Sequence, residues 1–181
     1  MKYHQLKWPR EHKITERTAT IRSSFVRAII PFIKPTDQEI QDSLKELQQD
    51  PDDLRCSYCG SQATEWDHFR PVLKEKHATG NITDIYNLVP CCAKCNESKS
   101  NFDWDSWITG KTQQGPEKVD GRDGRVQILK HFEEWSNTRT HRLSDQVLND
   151  DRIQAYMNRC EELVNTFAGY QVDAGNIKQW I

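Results

Sequence analysis

The sequence predicts an α+β protein in which a small metal-stapled core is embedded between flanking α-helices. Two observations carry that expectation. Apolar residues recur at helical spacing before residue 50 and after residue 126, whereas the stretch from Leu54 to Trp107 breaks this rhythm and holds five of the six cysteines. At 181 residues the chain suits one compact body rather than two independent cores. The divisions follow: a basic N-terminal arm and helices over 1–53, the cysteine-bearing core over 54–107, a loop over 108–125 and a helical region over 126–181.

The first element is a helix from Thr18 to Phe32. Ile21, Phe25, Ala28, Ile29 and Phe32 form its apolar stripe, and Pro31 and Pro35 punctuate its end. Thr36-Asp37-Gln38-Glu39 then reads as a capping box, opening a second helix to about Gln49 with Ile40, Leu44 and Leu47 on one face. Asp50-Pro51-Asp52-Asp53 stops it. Gly110 to Gly124 is rich in Gly, Lys, Gln and Asp and reads as an exposed loop. Helical periodicity resumes with Ile128, Leu129, Phe132 and Trp135. A longer helix is expected from about Ser144 to Ala168, where Val147, Ile153, Tyr156, Met157, Cys160, Leu163, Val164 and Phe167 make an apolar face. That face is core or a homodimer interface.

Net charge is −2 and mean hydropathy −0.87. The balance conceals a strong asymmetry. Residues 1–34 carry eight basic side chains against two acidic ones, and residues 36–53 carry seven acidic against one basic. Either run alone reads as solvated surface, but a basic arm is also the electrostatic footprint of a polyanion binder. The longest apolar run, Phe25 to Ile33, is broken by Arg27 and Pro31 and falls short of the roughly 20 residues a membrane helix needs. Residues 1–5 lack the pattern of a signal peptide, so the expected location is cytoplasmic, with no membrane partner.

In a reducing compartment, paired cysteines are better read as metal ligands than as disulfides. Cys56-Ser57-Tyr58-Cys59 is one knuckle, followed by Gly60 for the tight turn, and Cys92-Ala93-Lys94-Cys95 is a second. Together they make a tetrahedral structural Zn²⁺ site. Cys91 would give the wrong spacing to Cys95 and is left, with Cys160, as a buried thiol. The 32 residues between Cys59 and Cys92 exceed those of a plain zinc ribbon, so the two halves enclose an insert.

That insert holds Glu65-Trp66-Asp67-His68-Phe69-Arg70-Pro71 and then Asp84-Ile85-Tyr86-Asn87-Leu88-Val89-Pro90. The second knuckle runs on into Asn96-Glu97-Ser98-Lys99-Ser100-Asn101. The order Asp-His, Asn-Leu and Cys-Asn-x-x-Lys resembles the HNH endonucleases, and the resemblance covers Leu54 to Trp107. It implies a ββα-metal fold, two strands and a helix around one catalytic metal, and phosphodiester hydrolysis of DNA, most simply double-stranded, leaving 5′-phosphate and 3′-hydroxyl ends.

The residue types suit that chemistry. Neutral imidazole is an effective base near pH 7, and the resemblance places His68 at the end of the first strand facing the scissile phosphate. Asp67 and Asn96 offer hard oxygen ligands for Mg²⁺ or Mn²⁺, and asparagine at the third motif position removes a nitrogen ligand that would favour zinc. Asn87 is implied to order the loop and orient His68. Lys99, one turn beyond Asn96, is expected to contact a neighbouring phosphate. Trp66, Trp104 and Trp107 are expected in the core, with stacking on bases as the alternative, and His4, His12, His77, His131 and His141 on the surface or in packing.

The layout is similar to small stand-alone HNH proteins associated with restriction or antiphage defence. One centre per chain cuts one strand, so double-strand breaks imply a homodimer. Two readings remain beside catalysis on DNA: a zinc-containing DNA-binding module without hydrolysis, and a toxic effector nuclease, acting on DNA or RNA, that a partner protein activates.

Overall fold

The computed structural model describes residues 10–75, 77–110 and 122–181. Residues 1–9 of the basic arm and most of the expected Gly110–Gly124 loop lie outside them. The fold is α+β. Three helical elements come first along the chain. A 3-10 turn at Ile14–Arg17 leads into α1 (Thr18–Ile29), and α2 (Asp37–Glu46) follows. Helix α1 ends three residues earlier than the periodicity predicts, because Pro31 disfavours helical backbone at Ile30 and has no amide to donate. The capping box at Thr36 and Glu39 is present with both hydrogen bonds.

The central segment contributes two small antiparallel sheets. Strand β1 (Glu65–His68) pairs with β4 (Leu88–Cys91), in register Glu65↔Cys91 through His68↔Leu88, and β2 (Leu73–Lys74) pairs with β3 (His77–Ala78). Helices α3 (Ala93–Lys99) and α4 (Trp104–Ile108) follow. Beyond residue 121 come α5 (Arg122–Asn137), the short α6 (Asp145–Leu148) and α7 (Asp151–Trp180).

The expected helix from Ser144 to Ala168 is therefore two helices, and the second is longer than predicted. Ser144 caps α6 through the Val147 amide. Asp150 caps α7 through the Arg152 amide, so the chain restarts at a second N-cap instead of continuing. At 30 residues α7 spans about 45 Å. It packs along α1, where Phe25 meets Tyr156 at 5.3 Å and Arg22 makes a bidentate pair with Glu161. Cys160 is buried in that seam.

One hydrophobic cluster joins the pieces. Phe69 stacks on Trp104 and meets Phe132 edge-on, while Tyr58 packs edge-on against Trp107. Leu47, Cys56, Val89, Cys91, Cys95, Ile108 and Leu129 complete it, so the end of α2, β4, α4 and α5 are packed around the cysteine-bearing segment. Trp104 and Trp107 lie in this core as expected, but Trp66 is 39% exposed. Alternation along β1 turns it away from the side that buries Asp67. Among the described residues, no helix is long and apolar enough to cross a membrane.

Candidate catalytic centre

Strands β1 and β4 with helix α3 make a ββα unit, and the two cysteine knuckles lie at its base. The first is a tight loop: Gly60 donates to the Cys56 carbonyl at 2.8 Å with φ +77°, and a Cβ there would lie 2.6 Å from the Arg125 guanidinium. Ser57 donates to the Pro90 carbonyl, tying this loop to β4. Cys92 sits at the N-cap of α3 and Cys95 inside it.

The Sγ atoms of Cys56, Cys59, Cys92 and Cys95 all lie within 4.8 Å of one another. Cys59 and Cys92 approach to 3.7 Å, close to the roughly 3.8 Å edge of a tetrahedral zinc–thiolate site. In this cluster the Cys56 thiol is driven down by hydrogen bonds from Cys91 and Cys95. The Cys95 thiol is driven up by its bond to Cys56 and by burial. Four thiolates so close need a cation to ionise together, and the geometry fits zinc. Cys91 stays outside the four-thiol set, fully buried, with its thiol donating to the Cys92 carbonyl at 3.2 Å.

Above the knuckles, β1 carries Glu65 and Asp67 toward α3. Asn96 Nδ2 donates to Glu65 Oε2 at 2.8 Å, and one turn on, Lys99 Nζ lies 3.0 Å from Asp67 Oδ2 and donates to the His68 carbonyl at 2.7 Å. The Tyr58 hydroxyl donates to the same Asp67 oxygen at 2.7 Å. Burial first and the Asp67 charge second raise the Tyr58 pKa, which keeps this donor protonated. The Asp67 carboxyl is itself pushed up by burial, with Lys99 and Tyr58 opposing.

Lys99 does not take the role expected of it. The side chain is fully buried, and its ammonium is spent on Asp67 and a backbone carbonyl rather than offered to a phosphate. A charge on the inner face of α3 would be costly without this partner, which is why the helix turns it toward Asp67. The oxygen donors expected for the catalytic cation, Asp67 and Asn96, share the α3 side of β1, and Glu65 joins them there. These are hard donors of the kind Mg²⁺ and Mn²⁺ prefer, although the Asp67 carboxylate would be shared with Tyr58 and Lys99.

His68 closes β1. Nε2 lies 2.8 Å from the Thr83 hydroxyl. Burial lowers its pKa to about 4, helped by the positive charges of Arg27 and Lys99, so the ring is neutral at pH 7. Asn87 is wholly buried behind it. Its side chain accepts from the Arg70 amide at 2.8 Å and donates to the carbonyls of Arg70 and Ile82, and its own carbonyl accepts from the Phe69 amide. One asparagine thus stitches the residues after His68 to the loop that carries Thr83.

Asp67, His68, Asn87 and Lys99 are thus brought into one connected cluster, with Asn96 beside it on Glu65. Glu65, Tyr58, Thr83 and Arg27 were missed by the sequence reading. Only Glu65 left a signal, lying two residues before Asp67 on the same strand face. Among the other histidines, His131 pairs with Glu46 and His141 with the buried Asp84, both with largely exposed rings.

Residues 56–102 match the family model described as HNH endonuclease. Comparisons with curated proteins and with solved structures give no match. The match begins at the first knuckle and ends just beyond α3, spanning every residue of the cluster but Arg27. Residues 56–102 of this chain are an HNH endonuclease domain, its four cysteines near enough to one another to hold zinc.

Proposed function

We propose that this domain is a metal-dependent endonuclease that hydrolyses phosphodiester bonds in double-stranded DNA. The observation that carries the reading is His68: neutral, at the end of β1, held by Thr83 on one side, and next in sequence to Asp67, whose carboxylate meets α3. Asp67 and Asn96 would hold Mg²⁺ or Mn²⁺, with Glu65 alongside. When bound, the ion neutralises charge on the phosphate oxygens and eases departure of the 3′ alkoxide.

The chain's own residues do the rest. His68 takes the proton of the attacking water. Asn87 keeps the backbone on either side of it in place without touching substrate. Lys99 and Tyr58 hold Asp67 and keep its charge compensated inside the fold. Zinc on the four cysteines fixes the two ends of the insert, so the knuckles have a structural role rather than a catalytic one. Arg27, exposed near His68, is suited to meet the DNA backbone. The arm offers less free charge than its composition suggests, since Arg22 is paired with Glu161 and Arg10 lies 3.6 Å from Glu16. Double-strand cleavage would use a homodimer, with α7 as the contacting face, in a restriction or antiphage setting within the cytoplasm.

A substrate panel tests this reading: supercoiled plasmid, linear duplex, single-stranded DNA and RNA, each with Mg²⁺, Mn²⁺ or EDTA. Cutting of duplex DNA with either ion and none with EDTA is expected. Binding of duplex without cutting under any ion would favour a DNA-binding module, and cutting of RNA alone would move the substrate class.

A further inference from the structure

A neutral imidazole carries one N–H and one lone pair, and a general base must present the lone pair to water. In His68 the two nitrogens are not equivalent. Nε2 is taken up by the Thr83 hydroxyl at 2.8 Å, whereas no group among the described residues bonds to Nδ1. From this geometry we propose that Thr83 is a positioning residue: its hydroxyl oxygen accepts the Nε2 proton of His68 and so leaves Nδ1 as the nitrogen that works on water. The inference rests on the reading of His68 as the base.

The loop around Thr83 is built to hold that bond. The Thr83 amide donates to the Pro31 carbonyl at 3.0 Å and its carbonyl accepts from the Ile33 amide at 2.9 Å, in a parallel bridge with the segment that leaves α1. On one flank the Ile82 carbonyl accepts from Asn87. On the other, the buried Asp84 carboxylate accepts from the His141 amide at 2.7 Å and from the Thr140 hydroxyl. Three separate parts of the chain therefore fix one hydroxyl: the N-terminal segment, the buried asparagine of the domain, and the 140–141 stretch. Threonine suits the position because its branched Cβ restricts χ1 and keeps the oxygen aimed at the ring.

The consequence reaches beyond residues 56–102. Pro31, Ile33 and His141 lie outside the matched domain, so the segments that flank it are part of the apparatus that orients the base. In the step itself, the water O–H bond breaks and its proton goes to Nδ1. The oxygen lone pair forms the bond to phosphorus while the P–O3′ bond breaks, and the leaving alkoxide takes a proton from solvent. The resulting imidazolium keeps its Nε2–H on Thr83.

The test uses the full chain and two substitutions. Long-range ¹H–¹⁵N spectra of histidine-labelled protein report which ring nitrogen of His68 is protonated, and steady-state cleavage of a duplex oligonucleotide reports kcat and KM. Expected are an Nε2–H tautomer in the wild type and a kcat lowered about 10- to 100-fold in Thr83→Val with KM unchanged. Thr83→Ser should recover most of the rate and keep the tautomer. An Nδ1–H tautomer in the wild type, or a folded Thr83→Val with wild-type kcat, overturns the proposal. Failure of the underlying reading looks different: His68→Ala would then cut as well as the wild type.

Discussion

At the scale of single residues, the centre is governed by what surrounds His68 and Asp67. Burial and two nearby cations bring the His68 pKa to about 4, below the ordinary value of roughly 6.5. Its neutral form is therefore favoured by folding, a contribution fully present above pH 6.5 and lost as pH falls through about 4. The expected profile of cleavage against pH stays flat on its acidic side well below pH 6.5 and falls only near pH 4 to 5, provided that the protein remains folded. A limb that falls with a midpoint at pH 6 to 7 would show that the ring is not desolvated as described.

Elements differ in how well the sequence foretold them, and the reasons are physical. The Thr36 capping box and the Pro31 stop are local signals, written within four residues, and the structure shows both. The knuckles were legible because metal spacing is a short-range pattern. The break before α7 was not, because Val147 and Ile153 continue the apolar stripe across it and hide a second cap at Asp150. Nor were the partners of α3. Lys99 reads as a surface lysine on a short polar helix, and only the packing of α3 on β1 sets it against Asp67 and Tyr58. Contacts such as His68 with Thr83 bring together residues that no local pattern relates.

The α3–β1 contact yields an element-scale prediction. Lys99→Met leaves a buried carboxylate without its cation and should destabilise the protein by about 3 to 5 kcal/mol in urea unfolding. Adding Asp67→Asn to it should return part of that loss, since the uncompensated charge is gone. A cost under about 1 kcal/mol for the single change would mean that the pair is not formed as described.

At the scale of the whole molecule, the zinc-sized cysteine cluster and the aromatic cluster share one body. Tyr58, between Cys56 and Cys59, is packed against Trp107, so loss of the knuckle geometry should propagate into the core that α2, α4 and α5 share. Stripping metal with a strong chelator, or Cys59→Ser, should lower Tm on the order of 10 °C or abolish the cooperative transition. An unchanged melting curve after metal removal would separate the cysteines from the fold. The other whole-molecule feature is the far end of α7, where Tyr170, Val172, Ile177 and Trp180 are exposed, beyond the Ser144–Ala168 stretch that the sequence offers as core or dimer interface.

The proposal that His68 is the base of a metal-dependent DNA nuclease, with zinc on its four cysteines, is open to one decisive assay. Plasmid cleavage by the wild type and by His68→Ala, in Mg²⁺, Mn²⁺ or EDTA and with zinc quantified in the same preparations, tests it most directly. Expected is cutting that requires the added ion and falls by at least about 100-fold in His68→Ala, while about one zinc per chain is retained. Equal cutting by the variant, or a wild type that holds zinc and cuts nothing under any ion, would contradict it.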